Sequence, residues 1–185
     1  MMKKLIFAVA VLVLVSGGFF YWRDNQADVR ELNKTLPDNV RVVKSLIGDE
    51  YRVVNKIDGY EFKVPKEWRG VSMIEYMPEV IEKNRTATNI YLEGREESGS
   101  IISIDAYKKD QSDINIEAWA KFLFSDYGLS GEFKNEQIGG HEVLSVKELQ
   151  HLAGAYIYFL DYSKIYVFTS RLEESIRYII ANGKW

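Results

Sequence analysis

An uncharged apolar run near the amino terminus constrains this chain more than any other feature. The run extends from Leu5 to Trp22, directly behind Lys3 and Lys4. An α-helix of that length spans about 27 Å, close to the roughly 30 Å of a bilayer's hydrocarbon core. The two lysines predict that the amino terminus stays in the cytoplasm and that the rest of the chain lies outside it. Residues 1–24 are therefore predicted to form a signal-anchor transmembrane helix in the cell membrane.

Two alternatives stay open for this segment. Ser16, Gly17 and Gly18 are the small residues that a signal peptidase requires after an apolar region. A cleaved signal peptide, leaving a secreted or periplasmic protein, is the first alternative. A buried helix of a cytosolic protein is the second, and the two leading lysines argue against it. The aromatic residues 19–22 favour the anchor, because a mature chain beginning with them would expose them to water.

The segment after the anchor is polar. Residues 25–50 are predicted to form a polar stalk, with a short helix near Ala27 to Asn33 that ends before Pro37. Asn33 and Asn84 each begin a triplet of the N-glycosylation pattern. Such triplets arise often by chance, and we expect neither residue to be glycosylated.

The residue composition excludes several kinds of chemistry. The chain of 185 residues contains no cysteine, so disulfides, thiolate metal sites and thiol catalysis are excluded. Its formal net charge is −3, and without the two amino-terminal lysines the remainder is more acidic still. An acidic domain repels a phosphate backbone, so no nucleic-acid partner is expected.

Residues 51–185 are predicted to form an extracytoplasmic α+β domain, in which an antiparallel sheet is flanked by helices. Apolar and polar residues alternate on both sides of turn residues, which is typical of hairpins. A further strand is predicted at 71–76, followed by a polar segment at 78–88. The predicted hairpins join 51–56 to 60–64, 89–93 to 101–107, 132–137 to 142–148, and 154–161 to 164–169.

Two helices are predicted within this domain. The first follows Asn115 as its N-cap and ends at Gly128. The second follows a capping box from Ser170 to Glu173 and ends before Gly183. Its stripe of isoleucines is predicted to cover the aromatic face of the last hairpin. The predicted apolar face of the first helix contains Ile116, Trp119, Ala120, Leu123 and Tyr127.

Several of these segments together resemble a known family. They are the stretch from Gly59 to Trp68, an isoleucine-rich strand, a helix carrying a tryptophan, the hairpin at 138–142, the aromatic hairpin at 156–168 and a closing helix. This combination resembles PsbP-like proteins over residues 51–185. The resemblance implies a curved antiparallel sheet flanked by helices and a binding or assembly role without catalysis. An uncleaved anchor departs from the photosynthetic members, which argues against a photosystem role.

No motif for catalysis, cofactor binding or metal binding is found. The only two histidines, His141 and His151, lie in predicted turns or loops, and no Gly-x-Ser-x-Gly motif occurs. An oxygen-rich cluster lies at Asp110, Asp113, Asn115 and Glu117, and we interpret it as the N-terminal capping region of a helix. No catalytic, cofactor-binding or metal-binding residue is therefore predicted.

The twelve tyrosines exceed what a core of this size requires. Aromatic side chains that stay exposed are frequent anchors of protein interfaces. The predicted interaction residues are Trp68, Tyr76, Tyr91, Tyr107 and Tyr162.

The sequence predicts a membrane-anchored binding or assembly module for a protein partner in the cell envelope, without catalysis of its own. Two alternatives remain. One is a small envelope hydrolase or metal-dependent enzyme with a site around Asp105, Asp113 and His141. The other is a carrier of an apolar small ligand held between sheet and helix.

Overall fold

The computed structural model describes residues 11, 13, 15–22, 26–45, 50–64, 70–80, 84–93, 101–109, 114–148 and 155–185. Residues 15–22 are helical, and most of the predicted anchor before them lies outside the described residues. In the described part of the chain, no helix is long and apolar enough to cross a membrane.

The described domain begins with a helix that packs on a small sheet. Helix α1 (Ala27–Lys34) precedes a three-stranded antiparallel sheet in the order β1-β2-β3. The Asn33 side-chain amide donates to the Val42 carbonyl at 2.9 Å, and the Val42 N–H donates to Asn33 Oδ1 at 2.7 Å. These two hydrogen bonds hold α1 against the edge of β1 that faces away from β2. The strands are β1 (Val40–Lys44), β2 (Tyr51–Asn55) and β3 (Tyr60–Lys63).

The predicted polar stalk at 25–50 is wrong for residues 26–45, which belong to the folded domain. Val29, Val40 and Val42 are buried, and Val29 and Val42 join the main hydrophobic cluster. The short helix predicted at the start of this segment is confirmed by α1. The apolar residues are too few to show a periodic pattern in the sequence, and their burial depends on partners that come later in the chain.

A seven-stranded antiparallel sheet forms the centre of the domain, in the order β4-β5-β6-β10-β9-β8-β7. All four predicted hairpins are confirmed, but they divide between two sheets rather than one. The polar segment predicted at 78–88 is wrong, because β4 continues to Val80 and β5 begins at Arg85. The strands are β4 (Gly70–Val80), β5 (Arg85–Glu93), β6 (Ile101–Lys108), β7 (Gly131–Ile138), β8 (His141–Glu148), β9 (Tyr156–Asp161) and β10 (Lys164–Ser170).

Helices cover both faces of the large sheet. On one face, the small sheet and helix α3 (Glu173–Asn182) enclose a cluster with Tyr158 and Tyr166 at its centre. On the other face, helix α2 (Ile116–Asp126) packs on a second cluster around Phe159. The result is a three-layered domain with two antiparallel sheets, which confirms the predicted α+β class but not the prediction of a single sheet.

The helix ends follow the sequence prediction only in part. Asn115 Oδ1 accepts a hydrogen bond from the Ala118 N–H at 2.9 Å, so the predicted cap of α2 is confirmed. Gly128 has a φ of +64°, the left-handed conformation expected of a helix-ending glycine. Tyr127 is exposed, and Phe124 is buried against the sheet in its place. The capping box predicted from Ser170 is wrong. Leu172 is the N-cap residue of α3, and no side-chain hydrogen bond caps the helix there.

Candidate binding surface

One side of strands β4, β5 and β6 presents apolar side chains to solvent. Met73 pairs with Tyr91, and Tyr91 pairs with Ile101, so the three residues form one row across three strands. Met73 is 41% exposed and Ile101 is 40% exposed. Alternate residues of a strand point to the same side, so Met77 shares this side with Met73 and is 40% exposed as well. We call this side of the three strands the β4–β6 face.

Polar groups lie beside the apolar row. Glu75 pairs with Asn89, and Asn89 pairs with Ser103, which makes a second row parallel to the first. The Tyr91 hydroxyl donates to Glu75 Oε2 at 2.9 Å, and the Ser103 hydroxyl donates to Asn89 Oδ1 at 2.5 Å. Apolar contacts with neighbouring hydrogen-bonding groups are typical of protein interfaces.

An ion pair closes one end of the β4–β6 face. Arg85 Nη1 lies 2.5 Å from Asp105 Oδ2 and 3.3 Å from the Tyr107 hydroxyl. Burial raises the pKa of Asp105 above its ordinary value, although the Arg85 guanidinium opposes that shift. Burial also raises the pKa of Tyr107, and the Asp105 charge adds to it. The tyrosine therefore stays neutral beside a paired arginine and aspartate.

A groove begins at this ion pair and extends beneath helix α2. Its volume is about 320 Å³. Its walls are mainly apolar, and the Tyr107 ring contacts Trp119 of α2 edge-on at 4.9 Å between ring centroids. We call it the α2 groove. Its apolar walls include Leu123, Phe124, Ile157, Phe159 and Val167.

The predicted interaction residues do not form one surface. Tyr91 lies on the β4–β6 face and Tyr107 lines the α2 groove. Tyr76 points to the opposite face of the sheet, and its buried hydroxyl has no hydrogen-bond partner among the described residues. Burial and the nearby Asp58 carboxylate raise the pKa of Tyr76 to about 12. Trp68 lies outside the described residues.

Tyr162 lies in the turn between β9 and β10. Its hydroxyl contacts His141 Nδ1, and the two rings meet edge-on at 5.7 Å between centroids. The two residues therefore link the β7–β8 turn to the β9–β10 turn. This pair was not anticipated, because it depends on the pairing of two separate hairpins.

Two residues of the enzyme alternative, Asp105 and His141, are described, and the sheet does not bring them together. Asp105 lies on β6 and His141 on β8, with β10 and β9 between them. At about 4.8 Å per strand, that separation is at least about 14 Å. Asp113 and His151 lie outside the described residues. Within the described residues, no group of three or more metal-binding side chains could hold a metal ion.

Sequence reasoning missed Met73, Ile101 and Arg85. Met73 lies on a strand whose partner is not predicted from the sequence, and Arg85 lies in the segment predicted to be polar. Ile101 lies in a predicted hairpin, but the register that places it opposite Tyr91 is not evident from the sequence. The alternation of β5 through residues 85–93 was the signal that could have placed Arg85 on the same side as Tyr91. No protein-family model matches this chain, and no curated protein matches it either.

Proposed function

We propose that this protein is a membrane-tethered, extracytoplasmic binding module without catalysis of its own, and that it binds an envelope protein through the β4–β6 face. The observation that carries this proposal is the row in which half-buried Tyr91 lies between exposed Met73 and exposed Ile101. Methionine and tyrosine are enriched at the centres of protein interfaces. The polar row beside it provides hydrogen-bonding groups that fix the register of a partner.

The amino-terminal segment supports the proposed location. An uncharged run behind Lys3 and Lys4 favours insertion with the domain on the outer side of the membrane. The Gln26 N–H donates to the Trp22 carbonyl at 3.1 Å, and Gln26 Nε2 donates to the Lys44 carbonyl at 3.0 Å. Gln26 thus links the end of the amino-terminal helix to the domain. A tether of this kind would hold the domain at the membrane and raise its effective concentration for neighbours there. Cleavage after Gly18 would give a secreted or periplasmic form with the same binding face.

A PsbP-like fold remains part of the proposal. It is supported by an antiparallel sheet with helices on both faces, the arrangement that the resemblance implies. The ion pairing of Asp105 on β6 supports a binding role without catalysis. Asp105 is held in an ion pair with Arg85, whereas a general base needs a free carboxylate near its substrate.

Site-specific photocrosslinking in native membranes tests the binding face. Ile101→benzoylphenylalanine places the crosslinker within the row, and Ile57→benzoylphenylalanine places it on an exposed turn of the small sheet. We expect a discrete crosslinked protein band from position 101 that is absent from position 57. The same bands at both positions, or none at position 101, would contradict the proposal.

A second candidate function is the binding of a small apolar ligand. The α2 groove favours it, because its volume of about 320 Å³ lies at the lower end of the range of ligand pockets. Its walls are mainly apolar and its polar groups are few and grouped at one end, as in small-molecule sites. The groove meets the β4–β6 face at the Arg85–Asp105 ion pair, but Met73, Tyr91 and Ile101 are not among the residues that line it, so the two functions are compatible.

A further inference from the structure

The α2 groove combines an apolar body with one polar end. Leu123 and Phe124 from the helix side and Phe159 from the sheet line the apolar part. At the polar end, the side chains of Arg85 and Asp105 remain 21% and 19% exposed. Both therefore reach the groove while they pair with each other.

The charges at the polar end cancel. The Arg85 guanidinium carries five N–H donors, and among the described residues its partners Asp105 and Tyr107 are both bound through Nη1. Arg85 Nε is buried without a hydrogen-bond partner in the described part of the chain. The Asp105 carboxylate places acceptor oxygens next to these donors. An anionic ligand would be repelled by Asp105 and a cationic one by Arg85.

We infer that the α2 groove binds a small neutral molecule whose apolar body carries one head group that both donates and accepts hydrogen bonds, as a carboxamide or hydroxyl does. The head group accepts from Arg85 and donates to Asp105, and the apolar body lies between Phe124 and Phe159. This inference rests on the second candidate function and names the chemistry of its ligand.

The volume of the groove limits the size of the ligand. At roughly 30 Å³ for each small group, the share of a water molecule in the liquid, about 320 Å³ accommodates roughly ten non-hydrogen atoms. Benzamide has this size and the required head group. Benzoate and benzamidinium have the same shape with a negative and a positive charge, so the three compounds separate charge from shape.

Chemical-shift titration by NMR of the full chain in lipid nanodiscs provides the test, with empty nanodiscs as the blank. We expect benzamide to shift the amide signals of β6, β9 and α2. We expect benzamide to bind roughly twofold to tenfold more tightly than benzoate or benzamidinium. This ratio of affinities corresponds to the contribution of one neutral hydrogen bond. Similar affinities for all three would refute the head-group inference and leave apolar ligand binding in place. No binding at these signals would refute both.

A charge substitution distinguishes recognition from simple packing. Asp105→Asn removes the negative charge and leaves the Arg85 guanidinium without a counter-ion, so we expect benzoate to become the preferred compound. The double variant Arg85→Gln with Asp105→Asn also lacks the ion pair but keeps a neutral polar end, so it should still prefer benzamide. It therefore controls for a folding defect caused by loss of the ion pair. An unchanged preference for benzamide in Asp105→Asn would overturn the inference.

Discussion

Asp58 Oδ1 lies 2.8 Å from Lys164 Nζ, and this ion pair joins the two sheets of the domain. Asp58 is only 2% exposed, in the turn between β2 and β3, whereas Lys164 begins β10. The Thr86 hydroxyl of β5 donates to the same carboxylate oxygen at 2.7 Å, and the Tyr166 hydroxyl donates to the Asp58 carbonyl at 2.7 Å. The turn of the small sheet is thereby held on the large one.

Removing the lysine of this pair should destabilise the fold strongly. Lys164→Met leaves a buried carboxylate without its counter-ion, which costs about 3 kcal/mol of unfolding free energy. Lys63→Met is the matched control, because Lys63 pairs with Glu50 at the surface and such pairs contribute less than about 1 kcal/mol. Urea unfolding of the full chain in detergent measures both values. Equal losses for the two variants would contradict the role of the buried pair.

The contact between α1 and β2 depends on an ionised Asp28. Burial of the carboxyl group raises its pKa, but hydrogen bonds from Tyr51 and Val29 and the charge of Lys44 outweigh burial, so the pKa of Asp28 is lowered. The folded-state pKa is below the unfolded value of about 3.9, so this contact stabilises the fold above that pH. The stabilisation is lost as the pH falls through the folded-state pKa.

Tyr51→Phe should raise the pKa of Asp28 toward its ordinary value, because it removes the hydroxyl that donates to Asp28 Oδ2 at 2.5 Å. A carboxyl-carbon NMR titration measures the change. Tyr162→Phe removes a hydroxyl that contacts His141 and not Asp28, so it should leave the Asp28 titration unaltered. An unaltered midpoint in Tyr51→Phe would show that this hydrogen bond does not hold the carboxylate ionised.

The face of α3 that covers the large sheet should tolerate no charge. Ile176 is fully buried in the main hydrophobic cluster, so a carboxylate there would lie among apolar side chains. Ile176→Asp should lower the free energy of unfolding by more than about 4 kcal/mol. Glu174→Gln, an exposed substitution on the same helix, should change it by less than about 0.5 kcal/mol. Near-ultraviolet circular dichroism during urea unfolding compares the two, and a folded Ile176→Asp variant with wild-type stability would contradict the packing described.

Local signals explain which parts of the fold could be predicted from the sequence. The hairpins follow from alternation and turn residues, and the cap at Asn115 follows from residues within one helical turn. The prediction of a polar stalk failed because residues 26–45 pack against strands that come later in the chain. Asp58 and Lys164 are separated by 106 positions, so no local pattern could pair them.

The candidate sites were harder to predict for the same reason. The frequency of tyrosine at interfaces is the sequence signal for Tyr91 and Tyr107. Their neighbours Met73, Ile101 and Arg85 became visible once strand order and register were known. The sequence predicts Tyr76 as an interaction residue, but the register places it on the face that packs against the small sheet.

The proposed topology predicts where single cysteines react. The natural chain has none, so Lys56→Cys in the exposed turn after β2 and Met2→Cys at the amino terminus can each be labelled alone. A membrane-impermeant maleimide should label Lys56→Cys in intact cells and Met2→Cys only after lysis. Labelling of Lys56→Cys only after lysis would contradict an extracytoplasmic domain.

Oxidative footprinting tests the binding face most directly, because Met73 and Met77 are its own exposed probes. In purified protein both thioethers should oxidise readily, as should the exposed ring of Tyr162 in the turn between β9 and β10. In native membranes we predict that Met73 and Met77 become protected while Tyr162 stays as reactive as before. Equal oxidation of both methionines in the two preparations would contradict a protein partner on the β4–β6 face.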